Sequence, residues 1–484
     1  MEQTFEKRGL TKKSENIAEW YNDVVLRAGL ADYSVVKGCM IIKPYGFAIW
    51  ERIQMILDGW FKNAGVQNAY FPLLIPYSLI QKEKEHLEGF SPELAVVTHG
   101  GGQKLAEPLV VRPTSETIMY QTFKDWVQSW RDLPLKINQW CNIVRWEKRT
   151  YPFLRTTEFL WQEGHTVHRT SQEALAMQME ALQWYRKFYE DICAISPYIG
   201  VKSVSETFAG AKTTYSVELV MPNGKALQAA TSHDLSDNFA KVFNILFLDE
   251  NGERKHPYQT SWGLSTRSIG GLVLSHGDDA GLILPPNIAP YQAVVIAVGS
   301  DDAKSQKEVV EAAQHAADEL GSIGIRVVLD TDTEHSLGFR INEWELKGVP
   351  LRLEVGSREI AEQKIKYVRR DTFGKGSVSL TGLASSVQDV LEQVQKDMLD
   401  YSRKQREELT VSVKTYGEFK EAMGLKRFIR AFWCEDAICE KKIKEETKAT
   451  PRVLELERMD DRLDGTCVAC GKPAKRQWLF AQSY

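Results

Sequence analysis

The chain has 484 residues, 43% of them hydrophobic and 26% charged, with 61 Lys+Arg against 65 Asp+Glu for a net charge of -4. That length predicts about three domains, each able to bury its own core, and the composition excludes bulk disorder and collagen-like repeats. The near-neutral balance excludes indiscriminate electrostatic binding to nucleic acid as the main mode and leaves local cationic surface open.

The start, Met1 to Leu10, lacks the apolar stretch of a signal peptide, and no apolar run approaches the ~18 residues of a membrane helix. Seven cysteines in so long a chain fit a reducing compartment, so a cytoplasmic protein with no membrane partner is expected. Cys39, Cys141 and Cys193 read as buried small hydrophobes. In chain order, Ile49, Ile53, Ile56, Leu57 and Trp60 recur at helical spacing and predict an amphipathic helix ending near Gly65. Asn68 to Ile75 reads as a strand that Pro72 confines to an edge or an interface. A strand is expected over Leu109 to Arg112. Pro113-Thr114-Ser115-Glu116 then opens a helix, with Thr114 or Ser115 as cap and Glu116 in the first turn.

Gln139 to Trp146 and Phe153 to Gln162 form a hairpin with a long basic loop. Lys148, Arg149 and Arg155 are ordinary solvated loop cations, whereas Arg145 lies between Val144 and Trp146. Burial there would leave its guanidinium needing a carboxylate or phosphate. Glu173 to Tyr189 is helix-like, and Gln228 to His233 reads as a strand. Beyond Pro285, Pro286 and Pro290 an α/β module follows: strand Ala293 to Val298, helix Lys304 to Leu320, then strands Arg326 to Leu329, Leu351 to Val355 and Ile365 to Val368. Cys434, Cys439, Cys467 and Cys470 form two close pairs that could give four thiolates to one tetrahedral ion, a closed and therefore structural site.

Arg145-x-Glu147, the loop, and Phe159-x-x-x-Glu163 resemble the second signature of class II aminoacyl-tRNA synthetases. Further strings narrow the resemblance to prolyl-tRNA synthetases of the archaeal and eukaryotic type: Arg112 to Glu116, Leu154 to His165, Gln228 to His233, Ser261 to Arg267, and His276 to Pro286. The resemblance covers essentially the whole chain. It implies an α+β class II catalytic domain built on an antiparallel sheet (1–287), an α/β anticodon-binding domain (288–400) and a small α+β zinc-binding C-terminal domain (401–484). It also implies a homodimer with Pro72 near the interface, ATP as substrate with Mg²⁺, structural Zn²⁺, and L-proline and tRNA(Pro) as partners. No DNA partner is implied.

The reaction implied is ATP-dependent formation of prolyl-adenylate and transfer of proline to the tRNA 3' end. It needs positioning and charge stabilisation but no enzyme nucleophile. By resemblance, Arg145 and Arg267 are the catalytic cations. Thr114, Glu116, Arg145, Trp161, Phe208 and His233 would hold proline. Arg145, Glu147, Arg155, Thr157, Phe159, Gln228, Thr231, Ser265 and Arg267 would hold ATP, with Phe90 and Glu93 in a loop nearby. The family commonly has threonine where Ser265 stands. Arg340, Glu354, Arg358 and Glu359 are candidate anticodon contacts, with an ordinary solvated surface charge the plainer reading of each.

The span His165 to Tyr258 is too short for an inserted editing domain, so no cis editing is expected. A threonyl enzyme would need a Cys/His zinc site, and none is legible around Thr114, Arg145 and His233. A non-catalytic synthetase-like binding protein would be expected to show degraded signatures, whereas Arg145, Glu147, Phe159 and Arg267 are intact.

Overall fold

The computed structural model describes residues 9–86, 94–299, 302–461 and 463–484. The expected first helix is present: after α1 (Ile17–Arg27), α2 spans Pro44–Asn63 with proline at its first turn. α2 buries Ile49, Trp50, Ile53, Leu57 and Phe61 along one stripe. The strand expected through Pro72 is broken. Gln67–Asn68 and Leu74–Pro76 belong to two different sheets, because a residue without an N–H cannot carry a ladder between them. Helix α3 (Glu116–Trp126) begins where expected, but its N-cap Ser115 makes no capping bond; the hydroxyl donates to Glu163 instead.

Hairpin strands β1 (Leu135–Val144) and β2 (Glu158–His168) pair antiparallel from Leu135↔Val167 to Val144↔Glu158. Arg145 therefore sits just past the end of β1, where the ladder has stopped and the side chain is free to turn inward. Helix α4 (Ser171–Lys187) opens with a capping box between Thr170 and Glu173. It packs under β2, β4 (Thr213–Val220), β5 (Lys225–Ser236) and β6 (Tyr258–Ser265), which with β1 and β3 (Tyr198–Val201) form the antiparallel floor of the catalytic unit. Helix α5 (Arg267–His276) follows β6 directly.

The second module has its own core. Strands β7 (Ala293–Ala297), β8 (Val327–Asp330), β9 (Leu351–Val355), β10 (Lys364–Arg369) and β11 (Lys375–Ser379) make a five-stranded sheet in the order β8-β7-β9-β10-β11. Val309, Ala313, Leu320 and Val387 from α6 (Ala303–Ser322) and α7 (Leu383–Glu408) cover it. The divide expected at residue 400 falls inside α7, which runs on to Glu408 and packs Val394 and Met398 against Ala194 and Ile283 of the first unit.

In the last module β12 (Thr410–Ser412), β13 (Phe428–Phe432), β14 (Thr450–Glu455) and β15 (Gln477–Ser483) surround a core with α8 (Ala437–Thr447). Their sheet is continuous with the catalytic floor. β14 pairs with β3, giving eleven strands in one sheet among the described residues. Across that seam Arg452 donates to both oxygens of Glu218, which Lys202 and Ser216 also bind, and Lys202, Glu218 and Arg452 are all buried. Tyr484 folds back onto the catalytic unit. Its hydroxyl accepts from Asn223 Nδ2 at 2.7 Å and Lys225 lies over its ring. Among the described residues, no helix is long and apolar enough to cross a membrane.

Candidate active site

Because strand side chains alternate, Phe159, Trp161, Glu163 and His165 fall on one face of β2. Their register partners across β6 are Ser265 for Trp161, Gly263 for Glu163 and Ser261 for His165. Gly263 carries no side chain between Glu163 and Thr231 and leaves the centre of the floor open. On β5, Gln228 and Thr231 are three apart and would face opposite sides of a regular strand. A bulge at Val217/Glu218 against Ala229 inserts the extra residue that turns both to the same side.

These residues line a cavity of about 490 Å³, together with Pro113, Thr114, Glu116, Arg145, Glu206, Phe208, Thr214, His233 and Arg267. Arg145 is seated over two rings, its Cζ 5.7 Å from Phe159 and 5.6 Å from Trp161, while Nε donates to Pro113 O at 3.1 Å. Arg267 donates to Leu154 O and Gln228 O. Burial lowers the pKa of both arginines, and Arg145 and Arg155 unsettle Arg267 further. A cavity edged by three neighbouring cations is built to receive anions.

At the other end, Thr114 donates to the Glu116 carboxylate, and burial raises the Glu116 pKa. Phe208 lies against His233 with ring centroids 4.7 Å apart, and His233 Nδ1 shares a hydrogen with Thr214 at 2.9 Å. Burial holds His233 down near pKa 3, so its ring is neutral at working pH. Trp161 Nε1 donates to Cys141 Sγ at 3.2 Å.

Of the residues expected from sequence, Thr114, Glu116, Arg145, Phe159, Trp161, Phe208, Gln228, Thr231, His233, Ser265 and Arg267 share this cavity. Glu147, Arg155 and Thr157 do not line it. Arg155 and Glu147 are ion-paired at 2.7 Å on its rim, and Thr157 is covered by the Gly38 loop, whose carbonyl accepts its N–H. Phe90 and Glu93 lie outside the described residues.

The sequence reading gave no role to Glu163, His165, Glu206, Thr214 or Ser261, though the two-residue step along β2 points to the first two. Cys141, read as an inert core residue, is half-buried beside the cavity, its Sγ 3.5 Å from Glu163. Arg340, read as a surface charge, is buried and spent on Asp330 and Ala297 O. It cannot read bases. Arg358 is exposed and paired with Glu362, Glu359 with Lys366, and Glu354 with Arg352.

The four cysteine sulfurs of the last module lie within 4.8 Å of one another, with Cys434 3.6 Å from Cys439 and 3.8 Å from Cys470. Tetrahedral zinc with ~2.3 Å bonds needs sulfurs about 3.8 Å apart. The Cys470 thiol is lowered to about 7 by a backbone N–H, which favours the thiolate a metal requires.

Comparison with known proteins matches residues 98–276 to the tRNA synthetase class II core domain (G, H, P, S and T). Residues 292–390 match an anticodon binding domain and 416–484 the C-terminal domain of prolyl-tRNA synthetase. The proline-tRNA ligase of Acetoanaerobium sticklandii is 49% identical over 478 residues, 99% of this chain and 98% of that protein. Those of Rubrobacter xylanophilus and Borreliella burgdorferi are 51% and 48% identical, each over 98% of this chain and 98% or more of their own length.

Proposed function

The chain belongs to the prolyl-tRNA synthetase family, and from that premise we propose how its residues divide the work of joining proline to tRNA. The enzyme activates L-proline with ATP, releasing pyrophosphate, and passes the prolyl group from the adenylate to the tRNA 3' end. The proline carboxylate is the nucleophile on the α-phosphate, so the protein's task is to align two anions and stabilise the charge that builds between them. Arg145 does this. Its Nε is anchored to Pro113 O, while its two Nη groups have no protein acceptor among the described residues and can fork between carboxylate and phosphate. That free fork is the observation that carries the reading.

Thr114 and Glu116 receive the secondary ammonium, and Trp161, Phe208 and His233 wall the ring. Phe159 stacks on adenine with Glu147 at its edge, and Thr157, packed against Gly38, shapes that edge without bonding the base. Gln228, Thr231 and Ser265 bond the nucleotide, and Arg155 and Arg267 take the outer phosphates. Mg²⁺, which the class uses with ATP, would neutralise charge on the outer phosphates, and Glu147 and Glu206 are carboxylates that could help hold it. In the last module, Cys434, Cys439, Cys467 and Cys470 hold structural Zn²⁺, which cross-links that module and leaves no position open for chemistry. The domains divide as 1–287, 288–400 and 401–484, with α7 bridging the last two, and Arg358, Glu354 and Glu359 remain the anticodon candidates.

A homodimer is supported by the exposed apolar side chains Val35, Val36, Ile41, Met55 and Tyr70, all in the segment that leads up to Pro72. The absence of cis editing is supported by residues 169–257, which α4 and β3 to β5 already occupy within the catalytic unit. Proline-dependent exchange of pyrophosphate into ATP tests the whole assignment; exchange driven by threonine or histidine and not by proline would overturn it.

A further inference from the structure

Beneath the proline end of the cavity, Glu116, Glu163 and His165 bring their polar atoms within 4.8 Å of one another, all three buried. Two carboxylates that close in a water-poor site repel, and one must be protonated or a cation must stand beside them. Both oxygens of Glu163 and both ring nitrogens of His165 already have partners. Glu163 accepts from Ser115 Oγ and, at 2.9 Å, from Gln139 Nε2. His165 Nε2 meets Glu163 at 3.2 Å and its Nδ1 meets the Tyr120 hydroxyl at 2.9 Å. A tyrosine hydroxyl can donate to a neutral Nδ1 or accept from a protonated one, so this pair accommodates both charge states of the ring without moving.

We infer that His165 is a positioning residue that carries a proton as the counter-ion of the Glu116/Glu163 pair in the empty site and gives it up when the proline ammonium docks. The step balances. The Nδ1 proton passes to solvent buffer, the Tyr120 hydroxyl turns from acceptor to donor, and the incoming secondary ammonium supplies the positive charge that left. The inference rests on the proposed docking of that ammonium on Glu116.

Among the groups facing His165 from each packed element, Glu116, whose pKa burial raises, is the one other group that could carry the proton, and the His165→Gln variant separates the two. From β5, His233 is held neutral near pKa 3 by burial. From β1, burial lifts the Cys141 thiol to about 12, so it stays protonated, and at the end of that strand Arg145 is a permanent cation. From β6, Ser261 is paired in register with His165 and carries no charge. From α3 come Glu116 and Tyr120. Although burial lowers the His165 pKa, the opposing carboxylates leave it raised overall.

Calorimetric titration of the full-length enzyme with L-proline, in phosphate and in Tris between pH 6 and 8, reads the protons exchanged. The expected result is release of a substantial fraction of one proton near pH 7 and a proline KM that rises up to tenfold per pH unit on the acid side, with the ATP KM flat. His165→Gln keeps a donor toward Glu163 and cannot titrate; it should bind proline with no buffer-dependent heat. Tyr120→Phe should move the acid limb to lower pH by about one unit. Proline binding without proton release in the wild type, or the same release in His165→Gln, overturns the inference alone. No proline binding at all, or undiminished binding by Glu116→Gln, overturns the proposed site with it.

Discussion

Replacing Arg145 by lysine keeps a positive charge near its place and removes the fork. In the wild type the guanidinium plane is fixed at three points: the Nε bond to Pro113 O at 3.1 Å and the faces of Phe159 and Trp161 at 5.7 and 5.6 Å. Lysine lacks Nε, so its ammonium has no anchor, and a single point charge can face the carboxylate or the phosphate but not span both. The loss is one charge-assisted bond formed in the transition state of a largely water-excluded site, about 3 kcal/mol, or roughly 150-fold in kcat/KM. Because the bond develops with the reaction, kcat should fall more than the proline KM rises. The assay is pyrophosphate exchange at varied proline and ATP, with thermal melting as control. A loss under about fivefold at an unchanged melting temperature would refute the idea that the fork, and not the charge, aligns the reactants.

The pocket wall is apolar around a small ring, and such walls discriminate by only ~1–3 kcal/mol, so alanyl-adenylate should form at high alanine. No detectable alanine-dependent exchange would refute the idea that the wall discriminates so weakly. Cys470→Ser should lose zinc, measured by metal analysis, while a stable preparation keeps aminoacylation; parallel loss of both would give the ion a catalytic share. His168 and His276 are held near pKa 4, chiefly by burial, below the unfolded value of about 6.5. The unfolded chain binds the extra protons, so their contribution is complete above pH 6.5 and is lost as pH falls towards 4, by at most roughly 1.4 kcal/mol per unit per group. Urea midpoints at pH 7 and 5 should show the decline, and His168→Gln should flatten it.

Much of the site was legible because its residues sit at fixed short spacings on one hairpin and one helix start. Arg145, Phe159 and Trp161 needed only an alternating strand to converge. What remained hidden depends on long-range register. Nothing local to Ser261 or Thr214 says that β6 and β4 place them opposite His165 and His233. The bulge that lets Gln228 and Thr231 face one way has no glycine to announce it. Arg340 misled for a related reason: an arginine reads as surface until Asp330 and the Ala297 carbonyl are known to lie within reach. Ser115 likewise looked like a cap because Glu163, 48 residues away, was not yet beside it.

The shared sheet also bears on how the polypeptide reaches its native state during synthesis. β15, drawn from residues 477–483, is an interior strand, clasped between β13 and β14 and touching β5. Until those residues leave the ribosome, β13 and β14 have an unfilled slot between them and two exposed pairing edges. Such edges invite association with other chains, and closing them requires contacts of high sequence separation, which form slowly. The catalytic hairpin and the second module can therefore assemble as they emerge, but the seam that Arg452 and Glu218 lock together can form only late. Nascent chains of this enzyme should lean on chaperones most during that interval.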